Sequence, residues 1–284
     1  MKHFLTLKEL KKLFTDQLAP LYEDLETNSI FYHALFFRFQ ISKVEFLLNP
    51  NKEIDADLIL CDLNRLKNGE PIQYVLGETL FMNLPFEVTN SVLIPRPETE
   101  ELVNLIIKKY KNASTVSILD IGTGSGAIAI AVAHYLPQSI VCATDFSEAT
   151  LKISSRNAQK NSVNIDFLQH NILSDSLDVF DSDFDLIVSN PPYIPQKQII
   201  EMHQNVVQYE PHSALFVPDN DPIIFYKKIG ELAALKLKTG GSLYFETHED
   251  FHQEIMEYLQ KCELRNIKSL KDLNGKNRFI LAEK

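Results

Sequence analysis

Cysteine is scarce in this chain, and its placement excludes two common uses. Cys61, Cys142 and Cys262 lie far apart with no CxxC pair, so neither a zinc ribbon nor a redox motif is supported. Scattered thiols of this kind suit a reduced compartment, buried as small apolar groups. Long apolar runs are missing as well. None reaches the roughly 18 residues of a membrane span, and charges interrupt Met1–Glu9 before a signal-peptide core can form. Positive charge is in deficit: the net charge is −10, where a nucleic-acid binder carries a basic face. Repeats and low-complexity tracts are also absent. The expectation is a cytoplasmic monomer with no membrane contact and no direct nucleic-acid partner.

What is present divides into two kinds of pattern. The 284 residues, 45% hydrophobic, suffice for one large domain and a small one. Residues 1–70 read as a small helical bundle without strands. Leu7, Leu10, Phe14, Leu18 and Leu21 fall on one face at helical spacing. Thr6 and Glu9 suit a capping box, Asn28-Ser29 suits the cap of a second helix, and Leu58–Leu66 supplies another. Residues 71–92, with Gly77, Asn83 and Pro85 between apolar pairs, read as a hairpin linker. From 93 to 284 strands and helices alternate. Strand signals lie at Val116–Ile121, Ile140–Thr144, Ile165–Gln169, Leu186–Ser189 and Ser242–Glu246, with a closing antiparallel pair at Asn266–Leu270 and Arg278–Leu281. This order predicts an α/β fold, a doubly wound parallel sheet of the Rossmann-like kind, beside the helical bundle.

Two turns in that sheet carry chemistry. The strand Val116–Ile121 runs into Gly122-Thr123-Gly124-Ser125-Gly126 and then a helix. Glycines there let the backbone approach a ligand closely. With Ala127 the string also satisfies G-x-G-x-x-A, which suits a dinucleotide, and Asp145 at the next strand's end can accept from ribose hydroxyls in either case. Asp120 tilts the choice toward S-adenosylmethionine, because an acid suits a cationic amino-acid tail better than a pyrophosphate.

The second turn is Asn190-Pro191-Pro192-Tyr193, after the apolar strand ending at Ser189. It suits a planar NH2 group. The Asn190 side-chain oxygen can accept one N–H and the Pro191 carbonyl the other, so that the nitrogen pyramidalises toward a methyl donor. Pro191 and Pro192 stiffen the turn, and Tyr193 offers a ring for the flat group.

Together with these turns, Leu93-Ile-Pro-Arg-Pro-Glu-Thr-Glu100, Tyr209-Glu-Pro211 and Asp272-Leu-Asn-Gly-Lys-Asn-Arg278 resemble the glutamine-N5 methyltransferases that modify class-I peptide chain release factors. The resemblance runs from about residue 70 to the end. Asn-Pro-Pro-Tyr alone is shared with adenine-N6 DNA methyltransferases; the Pro-Arg-Pro-Glu-Thr-Glu run is more specific. It implies S-adenosylmethionine as donor and the Gln of the release factor's Gly-Gly-Gln tip as acceptor. It implies an N-terminal helical domain that helps hold the protein substrate. It implies cofactor contacts from Gly122 to Gly126, Asp145 and Asn190, and an adenine neighbour at Ile172. Two departures stand out. Asn171-Ile172 replaces the usual acid and aromatic, and Phe216–Asp221 replaces a glycine-rich stretch. The alternatives are N5-glutamine methylation of a ribosomal protein and adenine-N6 methylation of nucleic acid.

Three features stay open on sequence grounds. Arg96 suits substrate, cofactor, Glu98 or a structural ion pair. Glu246 suits either the site's lining or solvent. His248-Glu-Asp-Phe-His252 satisfies H-E-x-x-H, but His248 directly follows a strand, so the two histidines are not expected on one helix, and no metal is expected.

Overall fold

A computed structural model describes residues 2–180 and 183–284. The chain divides into two compact units. One is residues 2–78 with His203–Tyr209; the other is Thr79–Met202 with Glu210–Lys284.

The first unit is mostly helical but not wholly so. Strands β1 (Phe4–Thr6) and β2 (Glu53–Asp55) pair antiparallel, with Leu5 opposite Ile54, where sequence predicts no strand. Helix α1 (Leu7–Leu18) starts with the expected capping box: the Thr6 hydroxyl accepts from the Glu9 N–H, and the Glu9 carboxylate accepts from the Thr6 N–H. Its face of Leu7, Leu10, Phe14 and Leu18 is buried, but Leu21 lies past the helix end and is exposed. Helix α2 (Asp24–Phe39) begins four residues before the expected Asn28-Ser29 cap. Asp24 and Glu26 in its first turn match the positive end of the helix, and Asn28 donates back to the Asp24 carbonyl from inside it. Phe31 and Leu35 from α2 join Phe46 of α3 (Lys43–Leu48) and Leu63 and Leu66 of α4 (Asp57–Leu66) in one core. Arg38 closes it with a two-pronged pair to the buried Asp62 and a third bond to the Val75 carbonyl in α5 (Ile72–Leu76).

The second unit opens on the hairpin of β3 (Glu78–Phe81) and β4 (Leu84–Glu87). Met82 and Asn83 both have positive φ, 51° and 61°, as a two-residue turn matched to strand twist requires. After α6 (Pro97–Tyr110) come β5 (Val116–Ile121), α7 (Ala127–Tyr135), β6 (Ser139–Asp145), α8 (Glu148–Lys160), β7 (Asp166–Gln169) and β8 (Phe184–Ser189). Two-residue strands β9 (Ile194–Pro195) and β10 (Phe216–Val217) follow, with the short α10 (His212–Leu215) just before β10; α9 (Gln204–Tyr209), between them in sequence, belongs to the first unit. The chain ends with α11 (Ile224–Lys236), β11 (Leu237–Glu246), α12 (His252–Lys261), β12 (Arg265–Lys271) and β13 (Asn277–Glu283).

Seven strands form one sheet in the order β12-β13-β11-β8-β5-β6-β7, parallel except where β13 pairs with β11 and β12. Its two faces are covered by separate cores. Leu102, Ile106, Ile128 and Val132 pack on Ile118, Leu186 and Val188. Tyr226, Ile229, Ile255 and Leu259 pack on Leu119, Ile187, Leu243 and Phe245 from the other side. The doubly wound architecture expected from the alternation is what forms. The strand order reverses between β5 and β8, so the loops leaving their C-terminal ends diverge and open a crevice there. No described helix is long and apolar enough to cross a membrane.

Candidate active site

The crevice holds both turns singled out in the sequence. It encloses about 830 Å³ of empty space, counting its open mouth, and Gly122, Thr123, Gly124, Ser125, Asp145 and Asn190 line it. A smaller adjoining cleft is lined by Phe146, His170, Asn171, Ile172, Pro191 and Phe225. Gly126, Pro192 and Tyr193 are not among the lining residues of either cleft.

The glycine turn does two different jobs. Gly122 and Gly124 have φ of 72° and 58°, and a Cβ built on either meets nothing within 4 Å. They are open to a ligand. Gly126 also has positive φ, 85°, but a Cβ there would sit 2.7 Å from Ile130 Cδ1 and 3.1 Å from Ser154 Cβ. Its job is to let α7 lie against α8. The turn is braced from behind by Asn157 of α8, which donates to the carbonyls of Ser125 and Glu87 and accepts from the Glu87 N–H.

Asp145 stands at the end of β6, its carboxylate accepting from the N–H groups of Gly124 at 3.1 Å and Ser147 at 3.0 Å. Each oxygen keeps a lone pair for a further donor. Burial raises its pKa, and those N–H groups oppose the rise. Asp120 does not line the crevice, contrary to the sequence reading of it as a partner for a cationic tail. It lies beneath the turn, accepting from the Thr123 hydroxyl at 2.7 Å, while its second oxygen is buried without a partner. Burial pushes its pKa up to about 7.

That rise makes stability depend on pH. Asp120's folded pKa lies above the unfolded value of about 3.9, so the folded state holds the extra proton. Stability from this group is full at low pH and is lost as pH rises through about 4 to 7. Asp120→Asn cannot titrate, so its melting temperature should fall less between pH 5 and pH 8 than the wild type's. Glu246, also pushed up to about 7 by burial, keeps part of the slope. Parallel pH–melting curves for the two proteins would contradict the assignment.

Asn190 leaves β8 beside the turn. Its Nδ2 donates to Thr99 Oγ1 at 3.2 Å, and Thr99 donates to Glu246 Oε2 at 2.6 Å. Glu246 is thus neither solvated nor part of the lining; it is 1% exposed. Tyr193 is half-buried with its ring edge-on to His248, centroids 6.0 Å apart, and burial raises its phenol pKa.

Arg96 resolves as an ion-pair anchor that also lines the crevice. It meets Glu210 Oε1 at 2.6 Å, with Glu210's side chain almost wholly buried and its other oxygen accepting from the Ile94 N–H. The pair holds the Pro95–Pro97 segment to the start of the Pro211–Ala214 wall. Its two halves are unequal. Removing Glu210 leaves an arginine that reaches solvent, whereas removing Arg96 strands a buried carboxylate. Arg96→Ala should therefore cost about 3–5 kcal/mol of stability and Glu210→Ala only about 1–2 kcal/mol, measurable by urea unfolding. Equal costs would sink that asymmetry.

The H-E-x-x-H string is not a helical pair. His248 precedes a short turn, α12 starts at His252, and His252 is engaged by Thr247 Oγ1 and Ser269 Oγ.

The crevice suits a nucleoside carrying an amino-acid tail. Open glycine positions, the Asp145 carboxylate with lone pairs to spare, and an annex that includes Phe146, Ile172 and Phe225 provide its three parts. A pyrophosphate would find only one cation among the lining residues, Arg96, already neutralised by Glu210. Residues 99–212 match the family model described as "Methyltransferase small domain". The release factor glutamine methyltransferase of Flavobacterium psychrophilum is 44% identical over 280 residues, covering 96% of this chain and 98% of that protein. The chain belongs to the release factor glutamine methyltransferase family. Its Bacteroides thetaiotaomicron member is 41% identical over 240 residues, 84% of each chain. Among solved structures, a Pyrococcus furiosus methyltransferase aligns with a TM-score of 0.52 at 21% identity, over 72% of this chain and 90% of that one, a likeness of fold.

Family membership accounts for the motifs legible beforehand, and the geometry adds residues that sequence reading did not assign. Thr99 and Glu210 both sit inside quoted motifs, but nothing in their spacing says which buried partner each will meet. Ser91, Val92 and Phe225, from a loop and a helix start, carry no motif at all.

Proposed function

We propose that this protein transfers a methyl group from S-adenosylmethionine to the side-chain amide nitrogen, N5, of the glutamine in the Gly-Gly-Gln tip of class-I release factors. It acts as a cytoplasmic monomer on protein, not nucleic acid, and the net charge of −10 supports that preference. The observation carrying the reading is the seat of Asn190-Pro191 at the junction of the two clefts, one strand away from the glycine turn.

When bound, S-adenosylmethionine supplies a methyl group made electrophilic by its sulfonium. Gly122, Thr123, Gly124 and Ser125 give it backbone to lie against, Asp145 takes ribose hydroxyls, and Ile172 packs on the adenine. An amide nitrogen is a poor nucleophile because its lone pair is delocalised. Asn190 Oδ1 accepts one of its N–H bonds and the Pro191 carbonyl the other, which turns the lone pair out of conjugation. Pro192 keeps the turn stiff, and Tyr193, its ring packed against His248 and not lining either cleft, buttresses the turn from behind. No general base is needed before transfer, since the nitrogen's proton becomes acidic once the fourth bond forms, and it then leaves to water. Orientation supplies up to about 7–11 kcal/mol of the barrier reduction, and the two acceptors stabilise the positive charge that develops on nitrogen. Residues 1–70 hold the release factor, 71–92 link, and 93–284 carry the reaction.

The test is labelled S-adenosylmethionine with a release factor whose tip Gln is intact or replaced by Ala. Label should enter only the intact protein. Label in the Gln→Ala protein, in a ribosomal protein instead, or in protein-free DNA or RNA would count against the reading.

A further inference from the structure

We infer that Thr99 and Glu246 are positioning residues that hold the Asn190 amide with its oxygen turned to the crevice and its nitrogen turned away. This rests on the proposed role of Asn190 as acceptor for the substrate's N–H.

A side-chain amide has two ends of nearly equal shape, and only one serves. With NH2 toward the crevice, Asn190 would present a donor to another donor. What fixes the choice is a one-way chain of hydrogen bonds. Glu246, at the end of β11 and 1% exposed, accepts from Thr99 Oγ1 at 2.6 Å. A hydroxyl has one proton. With that proton spent on Glu246, Thr99 Oγ1 has only lone pairs left for Asn190. Asn190 Nδ2, 3.2 Å away, is the atom that can meet them. Turned over, Asn190 would set its own oxygen against those lone pairs.

Both anchors are rigid. Thr99 is buried in the first turn of α6, its N–H bonded to the Arg96 carbonyl at 3.1 Å, in a helix started by Pro97. Burial pushes the Glu246 pKa up, as does Glu98, while the hydrogen bonds from Thr99 and Asn190 and the charge of Arg278 oppose that rise. The three residues come from α6, the turn after β8 and the end of β11, so the arrangement exists only in the folded sheet.

Thr99→Val removes the hydroxyl at almost constant shape, and Thr99→Ser keeps it. The readouts are kcat and KM with release factor, cofactor affinity by calorimetry, and the melting temperature. Thr99→Val should lower kcat about 10- to 100-fold, leave KM and cofactor affinity within about threefold, and Thr99→Ser should stay within about threefold of wild type throughout. Wild-type kcat in folded Thr99→Val would overturn the inference. So would a loss in Thr99→Ser as large as in Thr99→Val, or a loss confined to KM or cofactor affinity. Should Thr99→Val not fold, Thr99→Ala gives the same comparison. Absence of transfer by the wild type would strike the proposed reaction instead, which keeps the two failures apart.

Discussion

Asn190→Ala should lower methyl transfer to a release factor by about 10²–10³-fold, the usual effect of deleting one preorganised polar contact to the reacting group. The protein should remain folded. Asn190 is at the crevice wall after β8, not in either sheet core, and its side chain bonds within the small cluster of Thr99 and Glu246. The loss should appear in kcat, because the contact matters most as charge grows on the acceptor nitrogen. Cofactor affinity should stay within about tenfold, since the glycine turn, Asp145 and the annex are untouched. Steady-state kinetics and calorimetry on one preparation check all three statements. Unchanged kcat would remove Asn190 from the chemistry, whatever the family.

The second large effect separates two glycines that look alike in sequence. Gly126→Val should destabilise the fold by about 2–5 kcal/mol, combining positive φ in a branched residue with overlap against Ile130 and Ser154. In a unit of this size that is a fall in melting temperature of about 5–15 °C. Gly124→Ala meets open space. Its fold cost should stay near about 1 kcal/mol, and its damage should fall on cofactor affinity, weakened about tenfold or more as the new methyl occupies the cradle. Melting curves and calorimetry with S-adenosylmethionine score the pair. A Gly124→Ala protein with wild-type affinity would mean the crevice is not where the cofactor lies.

These contrasts mark where sequence stops. The sheet was legible because its strands are runs such as Ile118-Leu119 and Ile187-Val188, buried on both sides, punctuated by helices at fixed spacing. The two turns were legible because glycine and proline leave few backbone options. The ribbon of β1 and β2 was not. Three residues are too few to show alternation, and the partners lie about fifty positions apart. The start of α2 was misplaced because Glu23 gives no side-chain cap bond, while Asn28-Ser29 looks like one. Asp120 and Glu246 were misread for one reason. A carboxylate at a strand end is usually solvent-facing or functional, and only three dimensions show that Thr123 or Thr99 closes over it.

The proposed chemistry requires an amide nitrogen as the acceptor atom, and acid hydrolysis of the labelled release factor reads that atom directly. A methyl group on the side-chain amide of Gln is released as volatile labelled methylamine when the amide is cleaved. Essentially all label should distil as methylamine, and none should form with the Gln→Ala tip. Label retained on a non-volatile amino acid would place the methyl on another kind of atom and contradict the role of Asn190 and Pro191 as acceptors for an amide's two N–H bonds.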